Sequence, residues 1–270
     1  MATNAETDGR FAVARNRTSE QRSSAGTPIL EPRGGLAERI AARARTHHPV
    51  TVFLAVVLTA WVVLAGIMML LGLFLTDVLL PFHGIGHDDE HVNVVLAHHR
   101  SGFLNTASYV MSGIADVFAI PALVALTVIV AVVKKHWRIA AFVLAAITLE
   151  SATYRVTSWV IERHRPEVHR LDKLPVMASY PSGHVAASIA VYIGLALLIT
   201  SRWRSAGLRV PVWFIALAIP PLVALARMYR GMHHPTDTLA GMLLGIGALL
   251  FALLAARAAG GVAERREAAR

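Results

Sequence analysis

The sequence predicts an all-α, polytopic membrane protein built as a six-transmembrane-helix bundle, and three observations lead there. First, 55% of the 270 residues are hydrophobic and only 16% are charged, too apolar a balance for a soluble domain of this length. Second, the apolar residues fall into long runs, and the first, Val50 to Thr76, exceeds the roughly 20 residues that cross a bilayer. Third, basic residues gather in alternate connections between the runs, as membrane topology requires. The same composition excludes a disordered chain. With no cysteine at all, a disulfide scaffold and a cysteine-ligated zinc site are excluded as well.

Residues 1–49 carry eight arginines, five acids and no apolar run, and read as a flexible basic cytoplasmic tail. Within it, Leu36 to Arg45 can be drawn as a short basic amphipathic helix on anionic headgroups, or equally as solvated chain. The membrane domain is expected over 50–257. Its first span is Val50–Thr76, and the others are Val117–Val133, Ile139–Val160, Val185–Thr200, Val210–Ala226 and Thr238–Ala255, bounded by basic residues or by Pro and Gly. Phe103–Asp116 is weakly apolar and either extends the second span or lies in the interface. Residues 258–270 read as a second cytoplasmic tail.

The net charge of +9 is carried almost wholly by arginine, since Lys134, Lys135 and Lys173 are the only lysines. Such an excess suits nucleic acid, anionic lipid, topology or a phosphate site, and position decides among them. The N-terminal tail, Lys134–Arg138, Arg202–Arg209 and Arg257–Arg270 all fall on one face, which is therefore expected to be cytoplasmic. A nucleic-acid role is disfavoured, because topology already accounts for the basic tail and no aromatics interleave it. Two outward segments, Glu162–Lys173 and Arg227–Arg230, are basic against the rule, and a local breach of a general rule points to function.

Each outward segment holds residues suited to an anion. Arg163, Arg165 and Pro166 end the third span. Proline stops the helix and leaves guanidinium forks at the water boundary, a geometry that suits phosphate but that snorkelling also explains. Pro181-Ser182-Gly183-His184 directly precedes an apolar run. Free amides at a helix start, with glycine permitting close approach, form an anion cradle, although simple capping gives the same pattern. In His233-His234-Pro235-Thr236-Asp237, Asp237 falls in a first helical turn and can reach back toward His233. That would fix one tautomer and free the other nitrogen, as a nucleophile or base needs, while a metal pair or an interface histidine remains an alternative.

Together these residues resemble the type 2 phosphatidic acid phosphatase family, membrane lipid phosphatases related to vanadium haloperoxidases. That family's signature is Lys-x6-Arg-Pro, then Pro-Ser-Gly-His, then Ser-Arg-x5-His-x3-Asp. The matching residues are Arg165-Pro166, Pro181-Ser182-Gly183-His184 and Arg227-x5-His233-x3-Asp237, within about Ile139–Ala255. Ser158 and Ala226 stand where the family has lysine and serine. Arg155, sharing roughly one helix face with Ser158, or Arg163, beside Arg165, is the expected substitute for the lost cation.

The resemblance implies catalytic His233, His184 and Asp237. His233 attacks phosphorus to give a phosphohistidine, Asp237 holds its ring, and His184 protonates the leaving oxygen and later activates water. Phosphate-binding residues are Arg165, Ser182, Gly183, Arg227, Arg155 and Arg163, with no metal and no cofactor. The expected partners are a lipid phosphate or isoprenyl pyrophosphate and the membrane lipids. The site is expected on the extracytoplasmic side of a multi-pass cell-membrane protein. A phosphotransferase and a non-catalytic lipid-binding or transport protein are the competing readings.

Three further features have bland readings. His83, His87, Asp88, Asp89, Glu90, His91, His98 and His99 compose a solvated or headgroup-facing loop, with zinc as the rival reading. Gly241 and Gly245 suit close helix packing. Glu150, inside the third span, is expected to face protein near Tyr154 or Ser158.

Overall fold

The computed structural model describes residues 27–32, 34–82, 84–173, 178–203 and 205–270. Residues 1–26 of the expected tail and His83 lie outside the described residues. The elements are helical throughout: α1 (Gly35–Arg43), α2 (Pro49–Leu73), α3 (Ile85–His98), α4 (Gly102–Gly113), α5 (Ala119–Val133), α6 (Trp137–Val160), α7 (Gly183–Thr200, with a π-helical stretch at Ile189–Ile193), α8 (Ala206–Tyr229) and α9 (Pro235–Ala268). A π-helical turn, Phe74–Leu79, continues α2. Five of these, α2 with its extension, α6, α7, α8 and α9, are long and apolar enough to cross a membrane. The 15-residue α5 rises only about 22 Å, short of the roughly 30 Å hydrocarbon core.

Helix α9 is the axis of the bundle. It packs on α1, α2, α6 and α7, burying Leu244, Ala248 and Ala252 in a shared apolar cluster with Leu64, Phe142 and Leu149. A Cβ on Gly241 would lie 2.4 Å from the Ser182 carbonyl, and one on Gly245 2.5 Å from that of Ala186. The two glycines thus let α9 run against the start of α7, the close approach expected of them. The outer faces carry exposed Leu54, Leu58, Leu126, Ile129, Phe214, Leu239 and Leu250. An apolar exterior around helical spans is the solution a bilayer imposes, since every backbone polar group there must be satisfied internally.

Several sequence expectations change. Residues 258–268 are not a separate tail, because α9 continues through them for 34 residues in all. Helix α1 forms where the amphipathic pattern placed it, but it rests on protein. Its Ala37 and Ala41 are buried, a Cβ on Gly261 would lie 2.9 Å from Ala41, and Glu38 pairs with Arg265 at 3.4 Å. Residues 103–113 neither extend α5 nor merge with it; they form the separate helix α4. Glu150 is buried as expected, and accepts a hydrogen bond from Ser151 at 2.8 Å.

Candidate active site

Three helix boundaries meet at one end of the bundle. After α6 the chain runs extended, and the Arg163 carbonyl accepts the Ser179 amide at 2.8 Å. The Ser182 amide, at the N-cap of α7, is tied to the Asp237 carbonyl at 3.0 Å. Between α8 and α9, Gly231 has φ +70°, a left-handed conformation, and a Cβ there would meet Val168 at 2.8 Å. Only glycine turns the chain so sharply beneath the 161–173 segment. Pro235 starts α9, and the Asp237 carboxylate accepts the His234 amide at 2.8 Å, closing a capping box. The local signals read from sequence, proline at a helix start and acid in the first turn, are the ones that set this junction.

His233 is buried, and its Nδ1 lies 2.7 Å from the Ser179 carbonyl. A carbonyl only accepts, so Nδ1 carries the proton and Nε2 presents a lone pair. Burial and then the Arg227 charge hold the His233 pKa well below its ordinary value, against an opposing pull from Asp237. The ring is therefore neutral at physiological pH. The expected Asp237–His233 hydrogen bond is replaced. Asp237 instead accepts from Arg163, from Ser179 Oγ at 2.5 Å and from the backbone amide of His234, and lies 3.1 Å from His234 Nδ1. It thus shapes the loop that carries His233 without touching the ring.

The cations divide into two groups. Arg227 is almost fully buried, donates to Ser112 Oγ at 2.8 Å and to Asp172 at 2.7 Å, and keeps a buried Nε with no hydrogen-bond partner among the described residues. Arg165 donates to the Met232 carbonyl beside His233, and burial lowers its pKa, although guanidinium stays charged. Both act electrostatically on His233 and on His184, and His184 in turn acts on His233. The buried Ser182 Oγ also lacks a hydrogen-bond partner among the described residues. A Cβ on Gly183 would lie 3.2 Å from the Tyr154 ring, so the cradle tolerates no larger residue without displacement. His233, His184, Arg165, Arg227, Ser182 and Gly183 thus come together.

Two expected phosphate ligands do not. Arg155 is exposed while Ser158 is buried, its hydroxyl turned back to the Tyr154 carbonyl, so the three-residue offset carries the arginine off that face. Arg163 is buried in a bridge between Asp237 and Asp89 and donates to Thr236 at 2.7 Å; its donors are spent on structure. The acidic segment read as a loop is helix α3, and it supplies this bridge. Asp89 also accepts the Thr236 amide at 3.1 Å, and Glu90 meets His234 Nε2 at 2.9 Å. Among the described residues no three metal-type side chains converge, although His87 and His91 do stack with ring centroids 6.1 Å apart.

Sequence reasoning missed Asp172, which holds both Arg227 and Arg230 at 2.7 and 2.5 Å. Burial works against its carboxylate, but the bond to Arg230 and the Arg227 charge outweigh it and hold its pKa below the ordinary value. An acid inside an otherwise basic outward segment was the available signal. Asp116 and Lys173 were missed too. Both line a cavity of about 620 Å³ together with His184, Arg227, Asp172, Ser112, Val110, Phe118 and Ala119. The polar part of this lining suits an anion and the apolar part a hydrocarbon chain.

Comparison with known proteins agrees with this architecture. Residues 139–260 match the model of the PAP2 superfamily. An undecaprenyl-diphosphatase of Sulfolobus acidocaldarius is 29% identical over 125 residues, 44% of this chain and 56% of that protein; the match thus spans little more than half of that relative. The crystal structure of a transmembrane PAP2-type phosphatidylglycerolphosphate phosphatase from Bacillus subtilis superposes with a TM-score of 0.59 at 23% identity, covering 76% of this chain and 94% of that one. That likeness establishes a shared membrane fold.

Proposed function

We propose that this multi-pass membrane protein, whose residues 139–260 match the PAP2 superfamily, hydrolyses a lipid phosphomonoester or an isoprenyl diphosphate through a phosphohistidine. The observation that carries the proposal is the buried, neutral His233, its Nδ1–H donated to the Ser179 carbonyl, lying in the field of two arginines. Its Nε2 attacks phosphorus as the bond to the lipid oxygen breaks, and His184 gives that oxygen a proton. Water then attacks the phosphohistidine, losing a proton to His184, and the N–P bond breaks to release phosphate. Arg165, Arg227 through Nε, Ser182 and the Gly183 amide meet the charge on the three remaining oxygens. Asp237 serves as an indirect support for the nucleophile's loop.

The cation expected at position 158 is supplied by Lys173, which is exposed and lines the cavity. The apolar lining residues Val110, Phe118 and Ala119 take the lipid chain. With the short α5 counted as a sixth crossing, both termini fall in the cytoplasm and the site outside, the arrangement that the basic connections favour.

The test is a chelator-treated assay in detergent with phosphatidic acid, phosphatidylglycerol phosphate and an isoprenyl diphosphate. Phosphate release that vanadate inhibits and His233→Ala abolishes, with an acid-labile phosphoprotein trapped from labelled substrate, is the expected result. Lys173→Ala raises KM about tenfold, the order expected from losing one charge-assisted contact. Activity that survives His233→Ala or vanishes with chelation overturns the reading. Transfer to an alcohol in place of water identifies a phosphotransferase, and binding without turnover a carrier.

A further inference from the structure

The geometry points to Asp116, in the turn between α4 and α5, as the positioning residue for His184: its carboxylate orients the imidazole and offsets the positive charge around it, so that the ring carries the proton destined for the leaving oxygen. This rests on the role given to His184 above. It adds a residue outside the 139–260 match.

Asp116 Oδ1 lies 3.6 Å from His184 Nε2, too far for a hydrogen bond but within ion-pair range, and a small ring rotation or one water closes the gap. The carboxylate is itself held, because Oδ1 accepts the Val117 amide at 2.7 Å. The turn that carries it is fastened to α7, the helix that holds His184 in its first turn. Tyr192 donates to the Ile114 carbonyl at 2.7 Å, and Ala115 is buried with Val185, Val223 and Ala224. The distance between the two groups is thus set by packing on both sides of the pair.

The charges facing His184 make a carboxylate necessary. Arg227 and Arg165 act on it, with His233 nearby and Lys173 lining the same cavity. Asp172 is the other acid there, but its two oxygens are bound to Arg227 and Arg230. A ring that must hold a proton beside two guanidinium groups is in electrostatic conflict, and an opposite charge within about 4–6 Å relieves it. Asp116 supplies that charge, and its partial exposure, 38% of the side chain, leaves the pair open to water for proton exchange after each turnover.

The test compares the full-length protein in detergent with Asp116→Asn and Asp116→Glu on two substrates. Short-chain phosphatidic acid expels an alkoxide that needs a proton, whereas p-nitrophenyl phosphate expels an anion that does not. In single-turnover measurements of phosphohistidine formation, the step in which the leaving groups differ, Asp116→Asn is expected to slow the reaction of phosphatidic acid about 10- to 100-fold, within the usual reach of general acid catalysis. It should leave phosphohistidine formation from p-nitrophenyl phosphate within about threefold, with the concentration dependence of both unchanged, and Asp116→Glu should restore most of the loss. Equal loss on both substrates, or none on phosphatidic acid, overturns the inference. If Asp116→Asn does not fold, Asp116→Ser gives the same comparison with the same two outcomes. Wild-type protein inactive on every phosphate ester overturns instead the function on which the inference rests.

Discussion

Arg163→Met separates the role that sequence spacing assigns to this arginine from the one its surroundings assign. The Arg163 side chain is 7% exposed and bridges Asp89 and Asp237, which are 3% and 0% exposed. Removing the guanidinium leaves two like charges buried together. Breaking a buried pair costs about 3–5 kcal/mol. Asp237 keeps Ser179 and the His234 amide, and Asp89 keeps Thr236, so the low end applies, about 3 kcal/mol. For a chain of this size that is a fall in Tm of roughly 6–12 °C. Thermal unfolding in detergent measures it, and adding Asp89→Asn should return part of the loss, since a neutral amide replaces one stranded carboxylate. Lipid-phosphate KM should stay unchanged while kcat falls with the displaced His233 loop. An Arg163→Met protein with wild-type Tm and a raised KM would refute the bridge and restore Arg163 as a phosphate ligand.

Asp172→Ala frees Arg227 and Arg230 together; kcat should fall about 100-fold, the scale of losing an aligned oxyanion contact, as steady-state phosphate release measures. Gly241→Ala places a methyl group 2.4 Å from the Ser182 carbonyl and forces the phosphate cradle aside. Activity should drop at least about tenfold, with a stability cost of about 1–3 kcal/mol for overpacking, both read on one purified sample. The depressed His233 pKa has a defined sign. As pH falls through about 6.5 the unfolded chain protonates this histidine, while the folded chain, held neutral by burial and Arg227, does not. Stability therefore declines below about pH 6.5, by up to about 1.4 kcal/mol per pH unit from this group, until its folded pKa is reached. Comparing Tm from pH 7 to 5 between wild type and His233→Gln checks it; parallel curves would contradict a buried neutral ring.

The sequence by itself determined the helical membrane class, the positions of the long spans and the helix-start residues of the site. These follow from local physics: runs of apolar side chains, proline at Pro235, acid in the first turn at Asp237, and glycine where α9 meets α7. It also placed His233, His184, Arg165, Arg227, Ser182 and Gly183 on one face, because topology counts crossings. What only the tertiary structure decided is which charge meets which. Arg163 and Arg165 differ by two positions, yet one is spent on Asp89, 74 residues away, and the other reaches the Met232 carbonyl. Asp237 serves Arg163 and His234, and a backbone carbonyl, invisible in any pattern of side chains, orients His233. Ion pairs and hydrogen bonds between distant segments depend on distance and burial, and both are properties of the packed bundle that no local spacing encodes.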